Sequence, residues 1–148
     1  MSKNSNKLNT IALLVIWAMY CVSLMLPSLA TANGDEFGGL SILLIGWMGL
    51  LAGKVYAAGW YANLFFFYIS VQTMRGKSTH ISHIFMLLLT VTAFMRIVMP
   101  LNENGDTSVV TERNLGFYLW FSSIVLLSAL GFINRTFRRN RNKKENIT

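Results

Sequence analysis

"GLLAGKVYAAGWYAN", Gly49 to Asn63, sets one lysine, Lys54, inside an apolar run that extends from Leu40 to Met74. The order of the whole chain in space depends on how this run is read. If Lys54 marks a turn, the run crosses a bilayer twice. If Lys54 brackets a single helix, it crosses once, and every later segment changes sides.

A bilayer is the relevant solvent because of the composition. Of the 148 residues, 53% are hydrophobic and only 13% are charged. Soluble domains carry about twice that share of charge, and one of this size cannot bury so much apolar surface. The charges are also segregated: residues 8–34, 78–95 and 114–134 contain no Asp, Glu, Lys or Arg. A hydrocarbon core about 30 Å thick takes about 20 apolar residues as helix, and each stretch is close to that length. The predicted class is an all-α integral membrane protein, a four-helix bundle. A β-barrel would alternate apolar and polar positions over about 10 residues. Here "IALLVIWAMYCVSLML" (11–26) and "IFMLLLTVTAF" (84–94) are apolar on every side. The lone cysteine, Cys21, allows no internal disulfide and reads as a small buried mid-span residue.

The first apolar segment has features of a signal peptide: Lys3 and Lys7, then Ile11–Leu26, then Ala30-Thr31-Ala32. Its length favours a retained span. Either way, Asn33–Gly39 emerges on the far side.

Counting basic residues settles the lysine. With one crossing over 40–74, Lys3, Lys7, Arg75, Lys77 and the tail cations Arg135, Arg138, Arg139, Arg141, Lys143 and Lys144 share a side. That is ten of the 13 basic residues. The opposite side takes Asp35, Glu36, Glu103, Asp106 and Glu112, five of the six acids. Two crossings would move eight cations to the wrong side, against the positive-inside rule. The predicted topology has four crossings, about 11–30, 55–74, 81–99 and 115–133, within one domain over 1–134. A basic tail occupies 135–148, and its last residues, "NKKENIT", read as disordered. Both termini are expected to be cytoplasmic, and the expected location is an inner (cytoplasmic) membrane. Thirty-five helical residues would reach about 50 Å, so the single span is assigned to Val55–Met74. Lys54 is its outer bracket and Arg75 its inner one, and Tyr56, Trp60 and Tyr61 form an aromatic belt. Residues 40–53 become an outer re-entrant or half-helix segment, with one long tilted helix as the alternative.

Candidate functional residues are few. Gly49, Gly53 and Ala57 recur every four residues and would form a helix-packing stripe. Asn63 and Gln72 need hydrogen-bond partners in hydrocarbon; hydroxyls of Ser23, Thr90, Thr92, Ser122, Ser123 and Ser128 are available. An outer polar cluster of Lys54, Tyr61, Asn63 and Arg96 would form a binding site. "STHISH" (78–83) begins the third span, with Ser78 or Thr79 as N-cap and His80 and His83 at the interface. The tail cations attract anionic lipid headgroups. All six acids lie in loops or the tail, and no catalytic, metal-binding or nucleic-acid-binding pattern is present. No cofactor is expected.

"GWYAN" at Gly59–Asn63 and "YLWFSS" at Tyr118–Ser123 resemble motifs of small bacterial inner-membrane proteins that read W-x-A-N before a proline. Trp60, Ala62 and Asn63 match, and Leu64 stands where the proline would be. The resemblance implies a four-span fold and no activity. The expected function is non-catalytic membrane interaction, as an accessory or immunity-type protein. A small channel or transporter subunit acting as a homo-oligomer is the alternative.

Overall fold

The computed structural model describes residues 3–77, 79–100 and 107–145, with side chains over 7–77, 79–98 and 108–136. Helix α1 spans Lys3–Met25 and strand β1 Pro27–Thr31; β2 is Glu36–Gly38, α2 Gly39–Ile45 and α3 Trp47–Leu51. A 3₁₀ segment over Val55–Tyr61 leads into α4, Ala62–Met74. Then follow α5, His80–Thr92; β3, Val98–Pro100; β4, Thr107–Arg113; and α6, Leu115–Glu145.

Four helical rods form the body. Leu13, Ile16 and Tyr20 of α1, Ala62, Phe66 and Ile69 of α4, Met86 of α5, and Ile124 and Leu127 of α6 are buried together. Their spacings of three, four and seven residues put them on one face of each helix. Tyr20 stacks on Phe66 with centroids 4.5 Å apart, and Trp17 meets the same ring edge-on at 5.5 Å. The opposite faces stay apolar as well: Leu14, Leu88 and Val91 are 65%, 61% and 65% exposed. Cys21 faces outward too, rather than into the core expected for it.

The chain is not purely helical. A four-stranded antiparallel sheet, ordered β2-β1-β4-β3, closes one end of the bundle. The sequence predicts loops there, with spans reaching residues 30 and 99. Instead, Pro27 ends α1, since the residue before a proline is pushed out of the helical region. Val109, Val110 and Thr111 give β4 the β-branched character that favours a pleated surface. Apolar content alone does not separate the last residues of a helix from the strand that follows. A second core group, Leu29, Ala93, Ile97 and Phe117, joins the sheet to the helix ends.

Two helices, Lys7–Met25 and Leu115–Thr136, are each long and apolar enough to cross a membrane, where the sequence predicts four spans. The other two rods are composite. The 3₁₀ segment, at about 2.0 Å per residue, adds about 14 Å to the roughly 20 Å of α4. Beyond α5, Ala93, Phe94 and Met95 donate to carbonyls three residues back and prolong it as a tight turn. Arg113 then caps that end: its Nη2 donates to the carbonyls of Ala93 (3.3 Å) and Met95 (3.0 Å). Its guanidinium lies over the rings of Phe94 and Phe117. A cation at a helix C-terminus also suits the dipole there.

Residues 40–53 form two short helices bent at Gly46, not one half-helix. A Cβ at Gly46 would lie 2.6 Å from Trp60 Cδ1, so a glycine is needed for that ring to approach. Nor does one helix carry Gly49, Gly53 and Ala57. Helix α3 stops at Leu51, and Gly53 turns the chain with φ +74°, a conformation glycine adopts at little cost. Gly49 meets Ala57 within the chain. At the opposite end, α6 continues unbroken through residue 134 to Glu145, where a tail had been expected to begin. The side chains of Arg138, Arg139, Arg141, Lys143 and Lys144 lie outside the described residues.

Candidate binding site at the sheet end

The stretch "KVYAAGWYAN", Lys54 to Asn63, ties the sheet end together, one polar side chain after another. Tyr56 Oη donates to the carbonyl of Val98 on β3. Trp60 Nε1 donates to the carbonyl of Leu43 on α2 at 2.7 Å. Tyr61 Oη reaches the carbonyl of Trp47 on α3 at 3.4 Å. Gly59 lets the segment lie directly on α5, since a Cβ there would stand 2.9 Å from that of Ala93. These aromatics, expected as a belt at the interface, bond to the protein's own carbonyls.

Asn63 is the hub of this end. It is buried, and its Oδ1 accepts from Tyr20 Oη (3.0 Å) on α1 and from Trp120 Nε1 (2.8 Å) on α6. Its Nδ2 donates to the carbonyl of Trp60 at 2.7 Å. One amide thus links three helices. The hydroxyls expected to serve it do otherwise. Ser23, Thr90, Thr92 and Ser123 each donate to a carbonyl three or four residues earlier on their own helix. That acceptor is the nearest one a hydroxyl meets in a helix. Gln72 Oε1 is buried with no hydrogen-bond partner among the described residues.

Above Asn63 lies a cavity of about 510 Å³. Its roof is α2–α3, and its walls are the ends of α1 and α6, the sheet and the 3₁₀ segment. Leu24, Leu29, Phe37, Ile42, Ile97 and Phe117 make it apolar. The polar side chains on its surface are already engaged: Ser23, Ser28, Tyr56, Trp60, Asn63 and Trp120 all hydrogen-bond within the chain. Lys54 is the one charged lining residue among those described. Such a lining suits hydrocarbon by shape and offers one cation.

Of the four residues in the expected polar cluster, Lys54 and Asn63 line this cavity, and Tyr61 and Arg96 do not. Arg96 is exposed on the segment after α5. Sequence reasoning missed Tyr20 and Trp120, the partners of Asn63, as well as Arg113. Tyr and Trp inside apolar spans are a usable signal, since each carries a polar atom that must be satisfied when buried.

The bent segment α2–α3 covers the cavity yet has no buried residue of its own. Leu44 and Leu51 are exposed and do not line the cavity. Monomeric soluble proteins rarely expose a continuous apolar patch of this kind.

No protein-family model, curated protein or solved structure matches the chain.

Proposed function

We propose that this chain is a small, non-catalytic integral membrane protein of a bacterial inner membrane, crossing it four times with both termini cytoplasmic. It works by binding a membrane protein partner, as an accessory or immunity-type protein. Two features support the topology. The sheet gathers the ends of α1, α5 and the start of α6 on one side, beside Lys54. Arg75, Lys77 and Arg135 gather at the other end, where the positive-inside rule expects them. The exposed apolar faces of all four rods then meet lipid rather than water.

The observation that carries the function is the apolar cavity beneath an apolar, exposed cover. A partner's hydrophobic side chains can take the place of α2–α3 or pack against its outer surface. The occupied state of Asn63 speaks against a polar path through the bundle, so a channel formed by a homo-oligomer is the less favoured reading.

Photocrosslinking from Leu44 or Leu51 in native membranes, followed by native mass spectrometry, tests this. The expected outcome is a discrete complex with one other protein, and Leu44→Glu weakens it. A symmetric ring of this chain whose conductance changes with Lys54→Glu would overturn the reading.

A further inference from the structure

We infer a second site, at the basic end of the bundle, that binds a phosphate group. A cavity of about 830 Å³ opens there between the first turns of α1, the α4–α5 turn and the last apolar turns of α6. Among the described residues, three cations from two parts of the chain line it: Arg75 and Lys77 from the turn, and Arg135 from α6. Among the described residues, no acidic side chain lines it. Leu14 and Trp17 of α1 continue the wall toward the middle of the bundle.

His83 supplies the second, independent observation. The sequence suggests an interfacial histidine. In the structure it is 1% exposed, lines this cavity, and has a buried Nδ1 without a hydrogen-bond partner. Its ring sits against Gly131 so closely that any Cβ there would collide with Nε2. An unpaired polar atom at such depth is costly, and the close fit to Gly131 keeps the ring in place. An oxyanion in the cavity offers an acceptor to the imidazole and three cations a charge partner. Arginine and lysine together are the usual phosphate-binding set. A basic pocket between helices, with an apolar wall leading inward, suits a phospholipid headgroup with an acyl chain along Leu14 and Trp17. A free phosphate ion shares the headgroup chemistry without using that wall.

The lipid form of this inference rests on the membrane topology proposed above; the phosphate site itself does not. The test uses the full chain purified in detergent. Native mass spectrometry measures retention of phosphatidylglycerol against phosphatidylcholine, and a thermal shift measures the effect of inorganic phosphate at matched ionic strength. Arg75 and Lys77 are exposed, so the double variant R75Q/K77Q leaves the core untouched. Preferential retention of phosphatidylglycerol, falling about tenfold or more in the double variant and unchanged in Arg96→Gln, supports a headgroup site. Protection by inorganic phosphate of the parent chain but not the double variant supports the same site with a free ion, even if the chain fails to partition into membranes. Equal retention and equal protection in parent and double variant overturn the proposal. So does an equal loss in Arg96→Gln, which lies at the other end and would report only net charge.

Discussion

At the scale of single residues, the molecule depends most on Asn63. Its carbonyl oxygen is the shared acceptor for a buried phenol and a buried indole. Asn63→Leu removes that acceptor and leaves two donors without partners. A loss of about 1–3 kcal/mol is expected, read as a lower midpoint in denaturant titration of the detergent-solubilised protein. Asn63→Asp keeps the acceptor and should recover part of the loss. An unchanged midpoint in Asn63→Leu would mean that the two donors find other partners. The need for such a hub is legible in the sequence, because a lone amide in an apolar helix has to be satisfied. Its partners are not, since Tyr20 and Trp120 lie 43 and 57 positions away. Only the packing of α1 and α6 beside α4 brings them within reach. Lys54 was expected at the mouth of a helix, and it does precede one. Its own backbone is extended, at φ −92° and ψ 99°, and the helix it precedes is 3₁₀ in its first seven residues.

At the scale of elements, the helices were easier to read than the sheet. Within the expected spans 11–30, 55–74, 81–99 and 115–133, residues 11–25, 62–74, 81–92 and 115–133 are α-helical. The ends of these runs are where the reading slipped, because "PSLAT" and "VMP" carry no charge to set them apart from the helices they follow. One local cue for the sheet was present. Asn33-Gly34 is a dipeptide that favours hairpins, and Gly34 indeed takes φ +87° in the turn between β1 and β2. The pairing of β1 with β4 had no such cue, since it joins loops some eighty residues apart. Ala30 and Glu112 stand opposite one another there. In a chain with Cys21→Ser, the pair Ala30→Cys and Glu112→Cys should oxidise readily to an intramolecular disulfide. The pair Ala30→Cys and Arg96→Cys should not. Free thiols in the first pair after mild oxidation would show that the sheet is absent.

At the scale of the whole molecule, the proposed topology makes two linked predictions. Reporter fusions at Asn104 and at Thr148 should lie on opposite sides of the membrane; the same side for both would end the four-crossing scheme. Cys21, exposed on the outward face of α1, should be shielded by lipid. A membrane-impermeant maleimide should leave it unlabelled in intact and in broken membranes, and label it after denaturation. Ready labelling in broken membranes would place α1 in water. The sheet also has a consequence for biosynthesis. Strand β1 is made early, and β4 only after α5. The ribosome therefore releases a chain whose β1 edge stays open until the last helix is in place. An edge strand without its neighbour is a ready template for aggregation, and in the proposed topology it lies on the face away from the translating ribosome. The pairing of Leu29–Thr31 with Val110–Arg113 is thus a late locking step. Chains arrested before residue 107 should remain protease-sensitive at 26–38, and that sensitivity should vanish once α6 has entered.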